Sequence, residues 1–120
     1  MSPQPTVVWT EIPVTDLARS TEFYNAIFLW GMEPSTMGPE EIAAFGMEGI
    51  GGNLVKGPVG NGTGNIIYLN APGGLEAAKS RAEAAGAKFE GTEMTIPPGR
   101  YVVMLDPDGN RIGLFEPKAA

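Results

Sequence analysis

Asp106-Pro107-Asp108-Gly109 spells a tight turn, and Asn110-Arg111-Ile112-Gly113-Leu114-Phe115 behind it spells a strand. Proline presets φ for the first turn corner, and glycine takes the positive φ that follows. Past the turn the side chains alternate. Ile112 and Leu114 belong to one face, and Arg111, Gly113 and Phe115 to the other. A strand folded back by such a turn pairs with the segment before it, here about 100–105. That segment follows a strand near 87–94 and a Pro97-Pro98-Gly99 loop. Further upstream, Leu75, Ala78, Ala82 and Ala85 recur at helical spacing on one face, and Gly86 ends the run. A Pro72-Gly73-Gly74 turn separates that helix from an earlier strand, Asn65-Ile66-Ile67-Tyr68-Leu69-Asn70. The order is strand, helix, then three strands.

The same order occupies the first half of the chain. Val7-Val8-Trp9-Thr10-Glu11-Ile12-Pro13-Val14 reads as a strand, and Thr15 or Asp16 offers an N-cap oxygen to the next helix. Leu17, Phe23, Tyr24, Ile27 and Phe28 form that helix's apolar face, and Gly31 is expected at its left-handed end. Weak Glu76–Lys79 pairing is expected on the second helix. Short strands are expected near 32–37, 41–47 and 50–55. Lys56 to Gly64, rich in glycine and without periodicity, reads as the linker. The fold class is therefore α+β: one domain over 1–120, built of two βαβββ modules at about 7–55 and 65–117. Neither module can bury its sheet alone. Side by side they would form a curved mixed sheet around a groove, with helices on the convex face.

Composition narrows the chemistry. Apolar residues make up 42% and charged residues 18%, as in a globular protein with its own core. The net charge of −6 comes with no run of Lys or Arg, which argues against nucleic acid. No apolar run approaches the ~20 residues of a membrane span. The first residues lack the basic and apolar regions of a signal peptide, so a cytoplasmic location is expected. The chain has no Cys and no His. That removes disulfides, Fe–S clusters and thiol nucleophiles, and it denies Ser20, Ser35 and Ser80 an imidazole base. Gly60-Asn61-Gly62-Thr63-Gly64 precedes a strand rather than a helix, so it does not read as a phosphate cradle.

Four passages carry a family resemblance: Glu11-Ile12-Pro13-Val14-Thr15-Asp16-Leu17 running into Glu22-Phe23-Tyr24, Gly51-Gly52-Asn53-Leu54-Val55, Glu83-Ala84-Ala85-Gly86-Ala87, and the turn and strand at 106–115. With them the chain resembles the vicinal oxygen chelate superfamily, which includes glyoxalase I, bleomycin-resistance proteins, fosfomycin-resistance enzymes and extradiol dioxygenases. The resemblance implies a groove holding one divalent metal, with His, Glu or Gln ligands from the first and fourth strand of each module. The implied ligand positions fall on Trp9, on 51–54 where Asn53 is the polar side chain, near Ile66, and on Gly113. Trp, Ile and Gly cannot ligate through side chains, so neither metal nor cofactor is expected. A hard cation on Glu11, Asn70 or Glu116 is the alternative. The resemblance also implies a homodimer.

Strand alternation places Trp9 and Glu11, Ile66, Tyr68 and Asn70, Tyr101 and Val103, and Arg111, Gly113 and Phe115 on the groove side, with Asn53 beside them. The resulting surface is aromatic and apolar with few polar groups, the makeup of a small-molecule pocket. Trp9 either stacks on a ligand or plugs the vacated metal space. Glu11 serves as general base, as counter-ion to an amine, or only as a rim carboxylate. Tyr68 and Tyr101 donate to a ligand or simply pack. Asn53 contacts ligand or shapes a bulge. Arg100 either reaches an anionic group or is solvated, and Arg111 either faces the ligand or pairs with Asp106, Asp108 or Glu11. Three functions are consistent with these residues. The first is metal-free binding of a small organic molecule, and the second a metal-independent isomerase or lyase using Glu11 or a tyrosine for proton transfer. The third is an interaction module whose groove is filled.

Overall fold

The structure is a computed structural model that describes residues 9–46, 51–59 and 64–118. Val7, Val8, Met47, Gly49, Ile50 and residues 60–63 of the linker lie outside them. Each repeat folds as strand, helix and three strands. The first runs through β1 (Trp9–Val14), α1 (Leu17–Phe28), β2 (Pro34–Met37), β3 (Glu40–Phe45) and β4 (Gly51–Lys56). The second runs through β5 (Ile67–Asn70), α2 (Leu75–Ala84), β6 (Lys88–Ile96), β7 (Gly99–Leu105) and β8 (Arg111–Pro117). The strands form two mixed four-stranded sheets, ordered β1-β4-β3-β2 and β5-β8-β7-β6. In each, the first strand runs parallel to the last and the other pairings are antiparallel. Ladder bonds stop at the module boundary, so β1 and β5 are both sheet edges.

The period-two reading of the strands holds. Ile12, Val14, Leu54, Val102, Met104, Ile112 and Leu114 enter one core with Phe23, Tyr24, Ile27 and Phe28 of α1 and Leu75, Ala78 and Ala82 of α2. Both helices thus contribute to a single apolar interior, and they touch each other. Arg81 of α2 ties them further: its Nε donates to Ile27 O at 2.8 Å and its Nη2 to Pro72 O at 2.6 Å.

The 106–109 turn does more than reverse the chain, because it docks onto the other module. Asp106, 5% exposed, accepts from Tyr24 Oη at 2.7 Å, from the Asn110 and Asp108 backbone amides at 2.8 and 2.9 Å, and from Asn110 Nδ2 at 2.9 Å. Asp108 accepts from the Thr15 hydroxyl and, at 3.1 Å, from the Thr15 amide. Asn110 Nδ2 also donates to Pro13 O at 2.8 Å. Two buried carboxylates are thereby satisfied without a close cation, since Arg19 Nη2 stands 3.8 Å from Asp108.

Helix ends refine the sequence reading. Asp16 caps α1 as expected, with Oδ1 accepting from Arg19 N at 3.1 Å, while Thr15 is taken up by Asp108. The left-handed residue that ends α1 is Leu29 (φ 60°, ψ 36°) rather than Gly31, although Gly31 is left-handed too. Glu116, reaching over from β8, caps α2 by accepting from Leu75 N at 2.7 Å. The expected Glu76–Lys79 pair does not form. Lys79 bonds Glu93 at 2.8 Å and Glu76 bonds Arg100, because both side chains reach the neighbouring sheet.

Leu29 carries a backbone conformation that glycine adopts without steric penalty. Its side chain is 63% exposed, so little packing opposes a change. Leu29→Gly is expected to stabilise the protein by about 0.5–1 kcal/mol, after allowing for the looser unfolded chain. Urea denaturation checks this; a lower midpoint would mean that the leucine side chain packs against something that offsets its strain.

Candidate functional site

The candidate residues fall into two groups, one on each sheet, with a cleft between the sheet edges. On the first sheet, Glu11 pairs in register with Asn53, and Trp9 with Gly51. Trp9 Nε1 donates to Asn53 Oδ1 at 2.8 Å. Asn53 is 1% exposed, and its Nδ2 lies 3.3 Å from Leu54 O. The asparagine is therefore occupied from both ends. Trp9 itself remains 38% exposed, so one edge of the indole is fixed while the rest meets solvent.

On the second sheet Tyr68 stands edge-on to Tyr101 at 5.1 Å and to Phe115 at 6.4 Å between ring centroids. The Tyr68 ring also lies over Gly113, where a Cβ would come within 2.7 Å of Cε1. Tyr68 is 47% exposed. Partial desolvation and the neighbouring Tyr101 phenol hold its pKa above the usual phenol value, so its hydroxyl stays a protonated donor. Val103 pairs with Gly113 across the β7–β8 ladder and is buried. Arg111 pairs with Glu90, Nε at 3.0 Å and Nη2 at 2.9 Å, rather than with Asp106, Asp108 or Glu11. Both aspartates are already committed to the turn, and Glu90 lies on the strand two over from β8. Arg100 reaches no open anion site, and its side chain, a third exposed, is ion-paired rather than free. It holds Glu76 with two bonds at 2.8 and 2.9 Å and Glu116 with one at 2.9 Å, and this pulls the Glu76 carboxyl down to about 2.

Between β1 and β5 opens a cleft of about 1030 Å³. Thr10 to Pro13 line one side and Asn65 to Asn70 the other, with Arg111 and Asn110 at one end. Trp30 and Phe45 supply its apolar wall, stacked at 4.2 Å and 7°. Val14 O accepts from Gly57 N, and Ala71 N donates to Phe115 O, so those residues point their backbone groups into the sheets. By alternation, the backbone groups of Glu11, Tyr68 and Asn70 point away from their sheets, toward the cleft. Of the expected site residues, Glu11, Ile66, Tyr68, Asn70 and Arg111 line this cleft, whereas Trp9, Asn53, Tyr101, Val103, Gly113 and Phe115 do not. Trp30 and Phe45 were not among the expected residues.

The residues present do not fit the metal that the fold implies. An indole N–H is a donor only, and Trp9 spends it on the amide oxygen that would be the second ligand. Ile66 has no donor atom, and a ring fills the space above Gly113. Glu116, one member of the alternative oxygen set, is held by Leu75 N and Arg100, both of which depress its pKa. Among the described residues no three acidic side chains gather at one point.

The sequence model of the Glyoxalase/Bleomycin resistance protein/Dioxygenase superfamily matches residues 6–114. No curated protein matches significantly. Among solved structures, the chain is similar to a glyoxalase/bleomycin resistance protein from Albidiferax ferrireducens T118, with TM-score 0.76, 20% identity, and 95% and 100% of the two chains covered. It is also similar to TnmS3, an antibiotic binding protein from Streptomyces sp. CB03234, with TM-score 0.67, 23% identity and 98% and 100% coverage. A third is the fosfomycin resistance protein FosX from Listeria monocytogenes, with TM-score 0.69, 20% identity and 98% and 96% coverage. At such identities the solved structures speak to the fold. With the sequence match spanning both modules, the chain belongs to the Glyoxalase/Bleomycin resistance protein/Dioxygenase superfamily.

Proposed function

We propose that this protein binds a small, flat organic molecule without the help of a metal, seating it in the cleft between β1 and β5. The observation that carries the reading is the cleft's makeup. Trp30 and Phe45, reaching it from the core, and a few separated polar residues, Glu11, Tyr68 and Asn70, line one cleft of a volume suited to a drug-sized ligand. The engaged Trp9–Asn53 pair and the covered Gly113 support the metal-free part. The likeness to TnmS3, an antibiotic binding protein, is consistent with it. Proton transfer by Glu11 is a second reading, since that residue lines the cleft and stands exposed to solvent. The proposal includes a homodimer, since each sheet leaves its candidate face and its first strand's edge open.

Acridone, a neutral planar probe, is expected to raise the melting temperature and to quench tryptophan emission saturably. Tyr68→Ala, at an exposed position, is expected to keep the fold and weaken acridone binding by about tenfold. In the same samples, sedimentation is expected at twice the 12.6 kDa chain mass. Absence of both shift and quenching would refute cleft binding, and a monomer would refute the dimer.

A further inference from the structure

The cleft runs between two strand edges, β1 and β5, and no backbone bond crosses from one to the other among the described residues. In a parallel ladder alternate residues aim both backbone groups at the same neighbour. Val14 O accepts from Gly57 N, so Thr10, Ile12 and Val14 serve β4. Ala71 N donates to Phe115 O, so Ile67 and Leu69 serve β8. Glu11, Tyr68 and Asn70 aim their N–H and C=O the other way, across the cleft. Pro13 lacks an N–H, and its carbonyl is taken by Asn110 Nδ2 at 2.8 Å, which closes the cleft at that end.

The lining gives the shape of what fits. Side chains from both faces of the two edges border the cleft. Ile67 and Leu69 lie on the helix side, apolar and only partly buried at the margin of the core. Glu11, Tyr68 and Asn70 lie on the opposite side. A pocket resting on one face of a sheet would be bordered by one parity alone. A gap bordered by both passes between the sheets, edge to edge, as a missing strand would leave it.

We infer that the cleft takes an extended peptide, which adds as a strand between β1 and β5. The guest's backbone bonds the outward groups of Glu11 on one side and of Tyr68 and Asn70 on the other. Its side chains alternate. Apolar ones continue the core beside Ile67 and Leu69, and polar ones emerge beside Glu11 and Asn70. Main-chain bonds supply the affinity, and the apolar–polar alternation supplies the selectivity. The inference goes beyond the small-molecule reading: it concerns the same cleft, but recognition is by backbone rather than by ring area.

The test is calorimetric titration of the intact chain with a short capped peptide alternating threonine and valine, beside the same peptide N-methylated at alternate residues. N-methylation removes the donors along one edge of the peptide and leaves its side chains unchanged. The parent peptide is expected to bind and to raise the melting temperature, and the methylated one to bind at least about tenfold more weakly. Glu11→Pro deletes an N–H that β4 does not use, at a strand edge where proline is tolerated. This variant is expected to keep the fold by circular dichroism and to weaken the parent peptide by about tenfold. Equal affinity for the two peptides overturns strand addition, whatever Glu11→Pro does. Undiminished binding by a folded Glu11→Pro overturns it as well. Peptide affinity that falls as protein concentration rises overturns the peptide guest in favour of a strand from a second copy. If acridone binds and the peptide does not, the inference fails and the small-molecule reading stands; if the peptide alone binds, the reverse holds.

Discussion

Asp106→Ala is expected to lower the melting temperature by about 12 °C or more, equivalent to about 3–4 kcal/mol. Four donors converge on this carboxylate, and two of them, the Asp108 and Asn110 amides, hold the turn itself. A third is the Tyr24 hydroxyl, fully buried in the other module. Alanine would leave that hydroxyl without a partner in the interior and would loosen the turn that positions Asp108 against Thr15. The loss therefore combines an unsatisfied buried donor with weakened docking between modules, and it should exceed that of an ordinary surface hydrogen bond severalfold. Asp106→Asn keeps an acceptor and the side-chain shape, so its loss should be smaller.

The same contact predicts a pH signature. Burial, then the nearby Asp106 and Asp108 charges, hold the Tyr24 pKa well above its ordinary 10.0. The folded state thus favours the neutral phenol. Its contribution to stability is complete below about pH 10, where unfolded tyrosine begins to ionise, and is lost as pH rises toward the folded value. Wild type should accordingly lose stability above pH 10 more steeply than Tyr24→Phe. A loss below about 1 kcal/mol on Asp106→Ala would show that the turn docks through apolar packing alone.

What the sequence revealed and what it hid divide along a physical line. Strand faces follow from a period of two, so Ile112 and Leu114 were placed in the core and Arg111, Gly113 and Phe115 opposite them without knowledge of any partner. The turn at 106–109 is likewise local chemistry. Register between distant strands is not. The Trp9–Asn53 bond depends on parallel pairing of segments 44 residues apart, and nothing in either segment announces it. Arg111 found Glu90 across a hairpin ladder that shifts register between Glu90 and Met94, where counting residues fails. Trp30 lies outside any helix or strand, and its stacking on Phe45 is purely tertiary. The cleft wall was therefore illegible, although the aromatic pair itself was in plain view. A tryptophan just past a helix end, within reach of a strand that carries a phenylalanine, was the available hint.

Gly52→Ala is the second large effect, expected at about 3–5 kcal/mol, with ligand binding lost in parallel. Chain entropy alone points the other way, since removing a glycine from an extended strand stabilises by about 0.4–1 kcal/mol. Sterics outweigh it here. Gly52 pairs with Thr10 on one side and Phe45 on the other. A methyl group would press into the Thr10 carbonyl, 3.0 Å from its carbon, and would come 2.7 Å from Phe45 Cζ. The carbonyl belongs to the backbone of β1 and cannot rotate aside, so β1 must move away from β4. That movement would break the parallel ladder that sets Glu11 against Asn53, and it would push Phe45 off Trp30. Gly113→Ala is the control that separates crowding from displacement. There the obstructing atoms belong to the half-exposed Tyr68 ring, which can swing into solvent. Its stability should fall by about 1 kcal/mol or less. Urea denaturation of both variants distinguishes the cases. If Gly52→Ala is no less stable than Gly113→Ala, then β1 is not held close against β4.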